Sequence, residues 1–408
     1  MVESGRTQFR AVASPLRAIR RLLPATQLVV VRRRRRLVLL ALLIPALTTC
    51  DTSPQESGGG ITHPDPAHFL FDAEDVVEVA KSFRSSQALL VGAPSVTVGE
   101  LDGPSEYVLG SIDAMARTDS TIVLLDSRSH LVRLFDHQGR FLTSAGGSGQ
   151  GPGEFVRPNA MAMDSLGSIY VTDVRSMRMD VFRYAEDSLK YSTSVPLVDV
   201  MPYDVCALSG SIVVHGSELG DPEGSRQLHV FEQDLSDRRS FGRVYDSGNS
   251  AIQNALNVGK ILCVPPSTIV YAPTNLPFVL AYSIVGETLW VSRLSDFVPF
   301  PYIEYPGRIV NPIPEGGANA TVSLARACKG WLIVQVAKVS EESMQAGRYS
   351  GLDTYALKVA TGEGLYLGDN MPFVMDSDES VAFVKEDQPF PRIAIRPVES
   401  TLECGVSG

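Results

Sequence analysis

The chain repeats itself. Ser120 to Leu142 reads STIVLLDSRSHLVRLFDHQGRFL, and from Ser168 it reads SIYVTDVRSMRMDVF. The copies keep register 47 residues apart, with Ile122 matching Ile169, Asp126 matching Asp173 and Phe135 matching Phe182. Each period holds four short apolar runs. A period in the forties with four strands per unit is the signature of sheets arranged radially. Such units pack only on their neighbours, so a length of 408 residues is no obstacle to a single fold.

Between the copies lies GSGQGPGEFVRPNAMAMD, Gly147 to Asp164. Together they form the pattern G-x-G-E-F…P…D…G-x-I-Y-V-x-D…R-x-x-V-F, which resembles the NHL-type repeat of six-bladed β-propellers over Ser120 to Phe182. The resemblance implies an all-β fold of four-stranded antiparallel blades with a three-plus-one closure. A count along the chain gives the same number. Five four-stranded units follow one another from about Gly110 to Gly368, and a sixth, Phe373 to Arg396, has only three strands. SVTVGE, Ser95 to Glu100, alternates as a strand does and has no blade before it. It is expected to complete the last blade, which removes an open sheet edge. The propeller is therefore placed at 89–400, with a tail at 401–408.

The amino end carries five consecutive arginines, Arg32 to Arg36, and then the apolar run LVLLALLIPAL. A basic region followed by a short apolar one describes an export signal, and the run is too short for an ordinary transmembrane helix. Leu47-Thr48-Thr49-Cys50 resembles a bacterial lipobox, which implies lipid attachment at Cys50 and a location at the cell envelope. Residues 1–49 are read as basic extension and signal. The Ser-, Gly- and Pro-rich stretch that follows is read, within 50–88, as a flexible tether.

The first fifty residues hold ten arginines and one acid, Glu3, so the remainder has 26 basic and 45 acidic residues. So acidic a body repels nucleic acid and anionic membrane surfaces, which excludes both as partners of the body itself. None of the five cysteines forms a metal-spaced cluster. Cys206, Cys263 and Cys328 fall at near-equivalent inner-strand positions of successive blades. They are read as small buried thiols, too far apart for disulfides.

Connections within the first and the last strand pair of each blade are short. The others are long, and all of these emerge on one face. Long loops on a rigid scaffold are where binding concentrates. The insertion from Arg293 to Thr321 interleaves aromatics with prolines, which stiffen it, and Phe297, Phe300, Tyr302, Tyr305 and Arg308 are the candidate ligand contacts. Glu154 and Glu106 sit in tight Gly-rich turns, where Phe155 and Tyr107 are expected to wedge between blades. Asp126 and Asp173 are expected to accept turn hydrogen bonds. The sequence contains neither G-x-S-x-G nor H-E-x-x-H, and its Gly-rich loop lacks the Lys-Ser/Thr of a phosphate site.

The reading is a monomeric, lipid-anchored, non-catalytic propeller without cofactor or metal that binds a protein, peptide or glycan. The alternative is a metal-dependent hydrolase or lyase, lactonase-like or amidating-lyase-like, at the axial channel. If Cys50 carries the anchor, a Cys50→Ala chain should move from the membrane fraction to the soluble fraction on ultracentrifugation. Continued sedimentation with membranes would remove the anchor assignment.

Overall fold

The computed structural model describes residues 60–402 apart from 84–88, 186–187, 209, 221–225, 233, 236–237, 306–307, 329, 348, 350 and 401. The basic extension, the signal segment, Cys50 and Cys404 lie outside the described residues. Among those described, no helix is long and apolar enough to cross a membrane.

Six four-stranded antiparallel blades form the propeller. Their strands, called A to D from the axis outwards, succeed one another by hairpins. In blade one these are Ile112–Arg117, Thr121–Asp126, Leu131–Asp136 and Phe141–Gly146. The middle strands of each blade are apolar on both faces because both faces meet another blade. Ile122 to Leu125 are all fully buried, as are Ile169 and Val171 in the matching strand. Six apolar clusters fill the six junctions between neighbouring blades.

In blade six the strand Arg392–Ser400 pairs on one side with Val381–Glu386. Its other side is covered twice by the front of the chain. Val96–Val98 lies antiparallel to Ile393–Ile395, and Leu89–Val91 lies antiparallel to Val398–Ser400. Val98, Ile393 and Ile395 then share one cluster with Ile112, Ile122 and Phe135 of blade one.

The segment expected as a tether is in part something else. Val76–Val79 runs parallel to Val291–Leu294 as a fifth strand outside blade four. Upstream, Thr62 exchanges backbone hydrogen bonds of 2.8 Å with Tyr302. Phe69 and Phe71 pack edge-on to Phe278 at 4.6 and 4.8 Å between ring centroids. Downstream, Lys81 Nζ reaches Asp353 in blade five at 2.7 Å. Apolar residues at Phe69, Phe71, Val76 and Val79 give residues 60–83 a face to bury, which the polar composition of the preceding stretch obscured.

The cysteine reading is also corrected. Cys206 and Cys263 form a disulfide with a Cα–Cα distance of 5.5 Å, and Cys328 is disulfide-bonded too. Equivalent positions on neighbouring blades are far apart at the rim but converge at the axis, and Cys206 and Cys263 sit on A strands. The same crowding lets Asp204 Oδ2 of blade three accept from the Ile261 N–H of blade four at 3.1 Å.

The Cys206–Cys263 bond closes a separation of 57 residues. Its loss in a Cys206→Ser/Cys263→Ser chain is expected to cost about 2–4 kcal/mol in urea unfolding. An unchanged urea midpoint would show that the junction is held by packing alone.

Candidate functional site: the axial channel

The A strands of all six blades surround a cavity of about 1420 Å³. A regular local feature shapes it. In five blades the A strand shifts register against its neighbour, between Ile112 and Ala114, Pro158 and Ala160, Pro202 and Asp204, Thr321 and Ser323, and Val374 and Asp376. A bulge inserts an extra residue, raises the local twist and re-aims a side chain. Asp113, Val322 and Met375, three of the inserted residues, line the cavity. A fourth, Asn159, uses its Nδ2 to reach the Pro202 and Tyr203 carbonyls of the next blade at 3.2 and 3.0 Å.

The two ends of the channel differ. Toward the short-turn face it is floored by charge. The Arg326 guanidinium binds both oxygens of Asp376 at 3.0 and 2.8 Å. Arg117 Nε donates to Asp376 at 2.7 Å, and a terminal nitrogen reaches Asp378 at 3.0 Å. These four groups join blades one, five and six and balance to zero charge. Arg117 and Arg326 also line a second cavity of about 490 Å³.

Toward the long-loop face the channel is open. The short helix Glu341–Ala346 in blade five is fixed by a capping box between Ser340 and Ser343 and ended by Gly347 in the left-handed region. It brings Met344, 65% exposed, and Tyr349, 49% exposed, to the rim. On the opposite wall Asp204 accepts from its neighbours' backbone, at 3.0 Å from Val205 N and 3.1 Å from Ile261 N. Burial raises its pKa above the ordinary carboxylate value, and the charge of Lys260 works against that rise. A carboxyl so placed in a cleft is a candidate proton carrier. Among the described residues no group of three or more His, Cys, Asp or Glu is placed to hold a metal ion.

None of the five contacts expected from the aromatic insertion lines the channel. Phe297 is 8% exposed in the junction of blades four and five, beside Val79. Tyr302 is 5% exposed against Tyr245 and Leu276, under the strap at Thr62. These two clamp the insertion rather than present it. Phe300 and Tyr305 stay half-buried. Arg308 stands opposite Tyr305 in a small hairpin, with its side chain outside the described atoms. What the sequence reading missed was the channel-lining set on the A strands, whose signal was a run of methionines and small residues, IDAMAR and PNAMAM, that reads as ordinary core.

The turn residues have local roles. Asp173 accepts from four backbone N–H groups, those of Val156, Arg157, Arg175 and Ser176, at 2.7 to 2.9 Å. Burial pushes its carboxyl up, and these bonds outweigh that and hold it below the usual range. Asp126 likewise accepts from the backbone N–H groups of Gly110, Ser111 and Ser129. Phe155 is fully buried, with Phe182 among its neighbours, while Tyr107 takes a hydrogen bond from Phe141 N. A Cβ on Gly146, which has φ of +118°, would stand 2.5 Å from the His130 carbonyl, so this turn requires glycine.

Residues 73–233 match the DUF5128 family, described as a 6-bladed beta-propeller. No curated protein matches the chain. Among solved structures, a Bacteroides fragilis protein described as exported superposes with a TM-score of 0.54 at 12% identity, over 80% of this chain and 99% of its own. A member of the DUF4221 family from Bacteroides vulgatus gives 0.50 at 7% identity, over 78% and 97%. At such identities the likeness is one of fold.

The buried histidines of blade three lie outside the channel and staple it to its surroundings. His215 Nδ1 meets the Gln227 carbonyl at 2.9 Å, and its Nε2 accepts from Gly259 N at 2.9 Å. His229 bonds Ser240 and the Gly216 carbonyl. Burial pushes His215 down to about 3 and His229 down to about 4 from an ordinary value of 6.5. Both are neutral in the fold, so stability is whole above pH 6.5. Below it the unfolded chain gains protons that the folded chain refuses. Stability should therefore fall as pH drops from 6.5 toward 4 and then 3, by about 1.4 kcal/mol per pH unit for each histidine. The urea midpoint should decline across that window and decline less steeply in His229→Gln. A flat midpoint would mean that the imidazoles are solvated.

Proposed function

We propose that the protein is an exported, lipid-anchored propeller of the cell envelope, with an NHL-type repeat, whose long-loop face binds a protein, peptide or glycan without chemistry. The observation that carries this reading is a channel of about 1420 Å³ with the exposed Met344 and Tyr349 at its long-loop end and the paired charges of Arg117, Arg326, Asp376 and Asp378 toward the other. An open, shaped end on a rigid ring suits recognition. Phe300 and Tyr305, half-exposed on the same face, extend the surface.

Export is supported from two directions. The amino end has the order of a signal and a lipobox. Disulfides persist in oxidising compartments and are rare in the cytosol, and Cys206 and Cys263 are so bonded. A structural neighbour described as exported agrees with this.

A photo-cross-linking residue in place of Met344, in the full chain in its envelope, is expected to give a partner adduct. The same residue in place of Leu166, 76% exposed on the short-turn face, is expected to give none. Equal adducts at both positions would remove the assignment of the face. Turnover of an ester or lactone panel that is lost in Asp204→Asn would replace binding with hydrolysis.

A further inference from the structure

The channel is a methionine site. The sequence has ten methionines, and six of them line this cavity: Met115, Met161, Met163, Met344, Met371 and Met375. They come from blades five, six, one and two and so form one continuous side of it. Met115 and Met161 hold equivalent positions, each one residue beyond the bulge of its blade. Met344 stands free at the rim, with no core contact to account for it.

The charges lining the cavity are not balanced. Each of its four basic side chains already faces a carboxylate. Arg117 and Arg326 are bound to Asp376, Lys385 is 3.5 Å from Asp387, and Lys260 interacts with Asp204. Asp113, near the start of the A strand of blade one, and Asp369, just past the last strand of blade five, line the same side as the methionines, and both are exposed. Among the described residues neither has a cationic partner, and the one bond to Asp369 comes from the Asn370 amide at 3.0 Å. In the wall of blade five, Thr321 is 1% exposed and its Oγ1 has no hydrogen-bond partner.

Methionine is unbranched and polarizable, and it serves surfaces that must fit apolar side chains of varied shape. Uncompensated carboxylates beside it favour a positive guest. A cavity of about 1420 Å³ exceeds the range of about 300–1,000 Å³ usual for small-molecule sites, which favours a chain segment over a single small ligand. From these observations together we infer that the channel receives a peptide segment in which apolar residues alternate with lysine or arginine. The apolar side chains lie on the methionines, and the cations meet Asp113 and Asp369. The inference rests on the channel mouth being the binding face.

The test uses the purified full-length protein and three short labelled peptides that alternate leucine with lysine, glutamine or glutamate, read by fluorescence polarization. The Leu–Lys peptide should bind best and lose affinity as salt rises. An Asp113→Asn/Asp369→Asn chain should bind it about tenfold more weakly, with the thermal midpoint unchanged because both carboxylates are exposed. Met344→Ser should weaken Leu–Lys and Leu–Gln alike. Preference for Leu–Glu or Leu–Gln, with binding still lost on Met344→Ser, would overturn the charge assignment and keep the channel as the site. Binding of the Leu–Lys peptide that ignores all three substitutions would overturn both. No binding of any peptide would overturn the peptide inference. A partner adduct at Met344 would then keep the face.

Discussion

The ring depends on one short pairing. Val96, Thr97 and Val98 lie on Ile395, Ala394 and Ile393 and supply the fourth strand of blade six. Without it that blade would end in an unpaired edge, and the junction that buries Ile112, Ile122 and Phe135 would lose Val98 and Val96. A radial stack is a sum of junctions, so an open ring has one junction fewer and two exposed faces in its place. The same stretch of chain then does more. Leu89–Val91 extends the closure, and residues 60–83 strap blade four to its neighbours. Residues 60–83 are thereby part of the fold.

Closing the ring crowds the axis, and the functional geometry follows from that crowding. Six A strands cannot pack face to face at the centre, so they leave a cavity. Bulges in five of them twist the strands around it. Where blades three and four come closest, a disulfide and the Asp204–Ile261 hydrogen bond join them. Where blades five, six and one converge, two arginines and two aspartates fill the gap. The Arg326 and Asp378 ends of this network are exposed, and ion pairs open to solvent add little net stability. What it provides is a cross-link among three blades at one end of the channel.

The architecture was legible because its causes are local. The 47-residue register, the strand-ending Asp126 and Asp173 and the orphan strand are all visible as pattern. The site was not, for a physical reason. Period-two alternation tells which residues face a neighbouring sheet, but in a propeller both faces of a strand meet neighbouring sheets. Facing the axis depends on strand order and twist, and sequence spacing does not encode these. Met115 and Met161 therefore read as core, and in part they are, since they touch the junction clusters as well as the cavity. The aromatic insertion misled in the opposite direction. Phe297 and Tyr302 looked like presented rings, but a loop of that length must bury something to hold its shape, and they are what it buries. The cysteines were misjudged because rim distances were applied to residues at the hub.

The contrast between the channel's two ends gives the molecule a direction along its axis. Toward the short-turn face each charge of the network is matched and held by two or more bonds. At the mouth the carboxylates of Asp113 and Asp369 are unpaired, and Met344 and Tyr349 are exposed on an insertion whose helix is capped at both ends. Capping matters here because six residues are too few to hold a helix by themselves. Spending two caps on a short helix that buries only Ser343 is hard to explain as packing. It is accounted for if the purpose of the insertion is to hold an apolar side chain at a fixed place over the opening.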